Sequence, residues 1–254
     1  MEATTAQALA ELNRRFYEGQ TASSFDATRA HPWPGFSRIV EHLPPGDVQR
    51  VLDVGCGNGR LATFLAGAVT GQLHYHGVDG SVALVASARE ATRAVCPRAS
   101  FTHVDLLDAP DTLPRGAFSC IAAIAVLHHV PGRKRRAALV RALAERLSPG
   151  GILVLTAWRF DRIARVQPRR IPWADGIAAG ELRIDPDDLE PGDELVAWGG
   201  GTQALRYCHL LDDARFTQLI DDSALACVER FASDGTGADH NEYAILRRDL
   251  VPPG

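Results

Sequence analysis

The 254-residue sequence predicts a doubly wound, mostly parallel α/β sheet. Three observations lead there: short apolar runs alternate with helical segments, a Gly-x-Gly-x-Gly turn closes the first run, and the next two runs each end on an aspartate. A chain of this length buries one substantial core. Its 46% hydrophobic and 23% charged residues are globular values.

The elements follow in order. Ala3–Tyr17 carries Ala8, Leu9, Leu12 and Phe16 at helical spacing, which predicts an amphipathic helix. Residues 21–36 read as an ordered loop, and a second helix over Phe36–Leu43 stops at Pro44-Pro45-Gly46. Arg50–Val54 is the first strand, Leu61–Val69 a helix, and Leu73–Val78 a strand ending at Asp79. Ser81 caps the next helix, Val82–Val95. Ser100–Val104 is a strand ending at Asp105, and Phe118–Val126 is a buried strand. A helix over Arg133–Leu147 is stopped by Ser148-Pro149-Gly150-Gly151, and Ile152–Ala157 is buried again. Such alternation implies right-handed crossovers.

Residues 159–205 break the rhythm with prolines, glycines and mixed charge, and read as an insertion above the C-terminal edge of the sheet, where such folds bind ligands. The rhythm resumes with Leu205–Leu211, a helix near Asp213–Ile220, and strands near Cys227–Phe231 and Tyr243–Arg247 that predict an antiparallel edge hairpin. One domain is expected: an N-terminal covering segment over 1–45, a binding core over 46–158, the insertion over 159–205, and C-terminal strands over 206–254.

Composition excludes several classes. The apolar runs fall short of the roughly 18 residues that span a membrane. Glu11, Arg14, Arg15 and Glu18 interrupt any secretory signal. Cysteines 56, 96, 120, 208 and 227 form no CxxC pair and no zinc spacing, so a reducing, cytoplasmic setting without a metal is expected. A net charge of −4 argues against a uniformly basic nucleic-acid binder. The basic residues nevertheless cluster in Arg133-Lys134-Arg135-Arg136 and in Arg159, Arg162, Arg165, Arg169 and Arg170, while 181–194 is acidic; such runs are usually solvated faces.

The chemistry concentrates in Val51-Leu52-Asp53-Val54-Gly55-Cys56-Gly57-Asn58-Gly59-Arg60. Alternate glycines permit unusual backbone angles and close approach of a ligand. A dinucleotide fingerprint would need glycine at position 60, where Arg60 stands, and a Walker loop would end in Gly-Lys-Ser/Thr. Asp79, closing the second strand, is placed to accept both hydroxyls of a ribose. Asp105 can accept from an adenine amino group at the same edge, with Leu106 packing on the ring.

At these residues the sequence resembles the class I S-adenosylmethionine-dependent methyltransferases, over about residues 48–158. The resemblance implies a Rossmann-like, seven-stranded sheet with an antiparallel edge strand and S-adenosyl-L-methionine as cofactor. It implies Gly55, Gly57 and the nearby backbone around the methionine moiety, Asp53 and Asn58 also in the cofactor site, Asp79 on the ribose, Asp105 and Leu106 at the adenine, and Ala125 with Val126 on the sulfonium side. A narrower likeness is to the eukaryotic tRNA wobble-uridine methyltransferases, which esterify a carboxymethyl group on the base. It is carried by Phe25-Asp26-Ala27-Thr28-Arg29, Trp33-Pro34, Ala125-Val126-Leu127-His128-His129, Arg135-Arg136, Ile171-Pro172-Trp173 and Arg206-Tyr207-Cys208-His209-Leu210-Leu211. Cys208 departs from that pattern, which usually has a second aromatic there.

Arg29 and Trp33 are then expected to cover the cofactor. Arg206, His209, Tyr207 and Trp158 are candidates for the acceptor, and His128 or His129 for a base or a pocket wall. An ionised carboxylate, with an ordinary pKa of about 4, needs no base. Arginine offers a fork that matches it. Three readings stand: methyl transfer to an anionic or carboxyl-bearing acceptor such as a tRNA wobble uridine; a small-molecule O- or N-methyltransferase; and a non-catalytic cofactor-binding subunit. The tRNA resemblance also implies an activating protein partner.

Overall fold

The computed structural model describes residues 1–18, 31–106, 112–198 and 204–250; Phe25–Arg29, and with it the expected contact from Arg29, lies outside them. The strands are β1 (Val48–Val54), β2 (Gln72–Asp79), β3 (Ala99–His103), β4 (Phe118–Ala123), β5 (Leu147–Trp158), β6 (Arg170–Ile171), β7 (Asp193–Trp198), β8 (Ala204–His209), β9 (Ala226–Ser233) and β10 (Asn241–Arg247). The helices are α1 (Ala3–Glu18), α2 (Phe36–His42), α3 (Arg60–Ala68), α4 (Val82–Thr92), α5 (Arg133–Glu145), α6 (Trp173–Ala178) and α7 (Asp213–Asp222).

Seven strands pair in the order β3-β2-β1-β4-β5-β10-β9. The first five are parallel, and β10 runs antiparallel to both β5 and β9, giving the expected closing hairpin. Strand order reverses between β1 and β4, and the crevice beyond the carboxyl ends at such a reversal is where open α/β sheets bind ligands. Apolar clusters on both faces of the sheet bury Leu52, Val54, Ile121 and Leu153 on one side and Val51, Tyr75, Cys120 and Val154 on the other. This accounts for residues 120–123 of β4 and 152–155 of β5, which are apolar on both faces.

Two expectations need correction. Ser148-Pro149-Gly150-Gly151 does not stop a helix ahead of the strand; it lies inside β5. The register between β4 and β5 slips there, from Phe118↔Leu147 to Cys120↔Ile152, so the turn-forming residues are absorbed as a bulge with Gly150 at φ +76. Leu205–Leu211 does not resume the main sheet. As β8 it closes a second, antiparallel sheet in the order β6-β7-β8, drawn mostly from the segment read as an insertion. Leu9 and Leu12 of α1 bury their side chains with Leu195 and Tyr207 of this second sheet. Among the described residues no helix is long and apolar enough to cross a membrane.

Candidate active site

A cavity of about 490 Å³ opens at the carboxyl ends of the parallel strands, with α1 and the second sheet over it. At one end β1 turns into α3. Gly55 N and Cys56 N both donate to Val78 O, at 2.8 and 3.0 Å, which ties the glycine turn to β2. Gly55 sits at φ +75, where a Cβ would come within 2.8 Å of Val126. Gly57, at φ +53, has open space where its Cβ would be. A side chain there would fill the cavity rather than strike the protein.

Four aspartates line the cavity, and three of them, Asp79, Asp53 and Asp105, are each held differently. Asp79 accepts from Gly57 N at 2.8 Å and Ser81 N at 2.9 Å; burial pushes its pKa up, against these two bonds. Asp53, 3% exposed, accepts from the Tyr75 hydroxyl, and burial pushes its pKa to about 7. Asp105 accepts from the Arg14 guanidinium of α1. Asn58, Leu106 and Trp33 also line the cavity. Ala125 is there too, at φ +55, a left-handed conformation costly for alanine; its N–H donates to Thr156 Oγ1 at 2.8 Å.

The other end is assembled from four distant segments. His128 is buried, its ring 5.2 Å from Trp158 and 4.1 Å from His129. His129 Nδ1 faces the Tyr207 carbonyl at 3.1 Å and Nε2 faces the Tyr17 hydroxyl at 2.7 Å. A carbonyl only accepts, so Nδ1 carries the proton and Nε2 accepts from Tyr17. Tyr17 oxygen in turn accepts from Arg206 Nη1 at 3.3 Å. The Arg206 guanidinium lies among three rings, 4.8 Å from Trp158, 5.2 Å from Phe16 and 5.3 Å from Trp198. It is 5% exposed, its Nε has no hydrogen-bond partner, and no carboxylate among the described residues pairs with it.

Tyr207 and His209 do not line the cavity. Successive side chains on a strand face opposite ways, so Arg206 on one face of β8 leaves Tyr207 and His209 on the other. There both donate to Asp193 Oδ1, at 2.8 and 2.7 Å, and burial pushes the His209 pKa down. Asp193 Oδ2 accepts from Glu190 N, and Glu190 pairs with Arg136 at 2.6 Å. Arg136 is itself buried and donates to Val130 O and Tyr207 Oη. The acidic stretch is therefore not simply a solvated face, and the basic run splits: Arg133 and Lys134 are exposed, while Arg136 is internal.

Sequence reasoning missed Asn13 and Tyr17. They stand four apart on α1, so both reach the same neighbour: Asn13 Oδ1 accepts from Tyr207 N at 2.8 Å, and its amide lies 3.4 Å from the His129 ring. A polar residue between Leu12 and Phe16 on the apolar face was the available signal. Trp198 was missed because its strand was read as loop. His128, His129 and Cys208 also offer ligand atoms within 4.8 Å of one another, a grouping that sequence spacing hides. Burial pushes the Cys208 thiol up to about 11, and both His129 ring nitrogens already hold hydrogen bonds.

Residues 52–153 match a methyltransferase-domain family. The mouse tRNA (carboxymethyluridine(34)-5-O)-methyltransferase ALKBH8 is 30% identical over 172 residues, which are 67% of this chain and 23% of that protein. The Saccharomyces cerevisiae tRNA (carboxymethyluridine(34)-5-O)-methyltransferase is 29% identical over 143 residues, 56% of this chain and 47% of its own length. The chain thus spans less than half of these curated relatives. Among solved structures, an S-adenosylmethionine-dependent methyltransferase from Methanosarcina mazei superposes with a TM-score of 0.62 at 16% identity, covering 84% of this chain and 98% of the other.

Proposed function

We propose that this chain is a class I S-adenosylmethionine-dependent methyltransferase that methylates a carboxylate-bearing acceptor, a carboxymethyl group on a tRNA wobble uridine being the leading candidate. The observation that carries this reading is Arg206. A guanidinium shut among Phe16, Trp158 and Trp198 with no counter-charge among the described residues is costly, and an acceptor carboxylate would supply a partner. The tRNA assignment draws on the two relatives and on Arg165 and Arg169, which line the cavity beside Val166.

The residues at the other end fit the cofactor. Open space over Gly57, a backbone able to approach a ligand closely, and three carboxylates suit an adenosine joined to an amino acid. Asp79 would hold the ribose, Asp105 with Leu106 the adenine, and Asp53, Gly55, Gly57 and Asn58 the methionine moiety. Bound there, S-adenosylmethionine supplies a methyl group on a sulfonium leaving group. Arg206 orients the acceptor oxygen, and the rings around it exclude water. Charge is lost when an anion takes a methyl from a cation, so a dry cavity favours the reaction. Good alignment accounts for about 7–11 kcal/mol of such a barrier. No base is required, which agrees with His129 being hydrogen-bonded through both nitrogens. The setting would be cytoplasmic.

A second reading, a small carboxylic acid as acceptor, is favoured by the internal position of Arg136, which removes one cation from any RNA-binding surface. Incubation with methyl-labelled cofactor and either total tRNA or a metabolite extract separates the two. Label in RNA, released by mild alkali as an ester should be, supports the first. Label in small acids supports the second. Alkali-stable label in either fraction would remove the carboxylate reading. Arg206→Gln should lower kcat/KM for the acceptor about 100-fold while binding of S-adenosylhomocysteine stays unchanged.

A further inference from the structure

We propose that Arg60 seats the α-carboxylate of the cofactor's methionine moiety; the assignment rests on the S-adenosylmethionine reading above. Arg60 follows the glycine turn directly, as the first residue of α3, and lines the same cavity as Asp53, Gly55 and Gly57. Its guanidinium lies over the Trp33 ring at 4.2 Å, with Phe36 at 5.8 Å. One nitrogen donates to His31 O at 3.4 Å, and Nε is buried with no hydrogen-bond partner. No carboxylate among the described residues lies within ion-pair distance of it, although Asp234 and Asp53 are near enough to favour its charge, and burial pushes its pKa down.

The surroundings make this cation informative. Asp53, Asp79 and Asp105 already make this end of the cavity acidic, which suits hydroxyls and an ammonium group but repels a carboxylate. An amino-acid moiety carries both charges, so a site that binds it needs one positive group among the acids. Arg14, the other arginine at this end among the described residues, is committed to Asp105. Arg60 has donors to spare, and Trp33 holds its plane in place so that little rotamer freedom is lost on binding. The competing role is a strut, in which Arg60 serves only to pack Trp33 and Phe36 onto α3.

Binding calorimetry on the intact chain distinguishes these roles. The probes are S-adenosylhomocysteine, which carries the carboxylate, and its decarboxylated amine, which differs only in lacking it. Unaltered protein should prefer the first by roughly 10–100-fold, the worth of a hydrogen-bonded charge pair. Arg60→Gln should erase that preference by weakening only the carboxylate ligand. Arg60→Lys, which keeps the charge and loses the fork, should retain part of it and covers the case in which the glutamine variant does not fold. Equal weakening of both ligands, or no weakening of either, overturns the assignment. Unaltered protein that binds both ligands equally also overturns it. If that protein binds neither, the cofactor reading fails, and this proposal fails with it.

Discussion

The two ends of the cavity are built by different means. At the cofactor end the protein presents backbone: a glycine turn tied to Val78 O and to Asp79, with acids at the tips of neighbouring strands. At the acceptor end it presents side chains brought from α1, the Leu127–His129 turn, the end of β5, and β7–β8. The first kind of site is local in sequence and rich in carboxylates. The second exists only once the second sheet has folded over the first, and among the described residues its buried Arg206 has no acid to meet. The contrast suggests that this scaffold keeps cofactor binding in the strand-to-helix turns and leaves acceptor choice to whatever is docked above them.

The largest effect expected from breaking this contrast is at Gly57. A valine there would stand in a left-handed conformation that a β-branched residue resists, and its side chain would project into open space. Nothing in the protein clashes with it, so Gly57→Val should fold and yet lose S-adenosylhomocysteine binding, by more than about 100-fold. Calorimetry showing near-native affinity would mean that the loop is only a turn.

This difference also explains what could be read in the sequence. Asp53, Asp79 and Asp105 were legible because each stands at or just beyond the carboxyl end of a strand, and strand ends are set by local pattern. Ser81 was legible as a cap and does accept from Leu84 N at 3.3 Å. The second sheet was hidden: β6 is two residues long, and β7 lies between Pro191-Gly192 and another glycine run, so its alternation is brief. Without that sheet, the Arg206-Tyr207-Cys208-His209 motif could not be divided into the residue that faces the cavity and the two that face Asp193. Arg60 was noticed only as a missing glycine, because its neighbours Trp33 and Phe36 are distant in sequence.

A sharper test of the acidic end uses pH. Burial raises the Asp53 pKa from 3.8 to about 7, so the folded state holds this proton more tightly than the unfolded chain. Its contribution to stability is therefore greatest below pH 4, falls as pH rises through the window from about 4 to 7, and is flat above it. At 1.36 kcal/mol per unit the fall is at most about 4 kcal/mol. Asp53→Asn, which keeps an acceptor for Tyr75, should remove this slope. Urea unfolding of both proteins from pH 4.5 to 8 reads it directly, and parallel curves would mean that Asp53 ionises at its ordinary pKa.

The smallest effect concerns the basic run beside the acceptor end, which structure divides into exposed and internal members. Arg133 and Lys134 face solvent and Arg135 is half-buried, whereas Arg136 is locked to Glu190, Val130 O and Tyr207 Oη. If tRNA crosses this surface, Arg133→Gln with Arg135→Gln should weaken its binding modestly. The salt dependence should also flatten, by roughly 0.9 in log–log slope for each duplex phosphate no longer neutralised. Cofactor affinity should not change, and stability should stay within about 0.5 kcal/mol. Arg136→Gln should behave in the opposite way. It strands Glu190 beside Asp193, so it should destabilise the fold by about 2–4 kcal/mol, toward the lower end because Glu190 keeps some exposure to water. Any loss of tRNA binding it causes should then appear without a change in salt slope. Measuring all variants at three salt concentrations separates the two. A flattened slope for Arg136→Gln at unchanged stability would put that residue at the RNA surface after all. An unchanged slope for Arg133 and Arg135, with tRNA affinity intact, would move the RNA path to Arg165 and Arg169, two of the arginines that line the cavity.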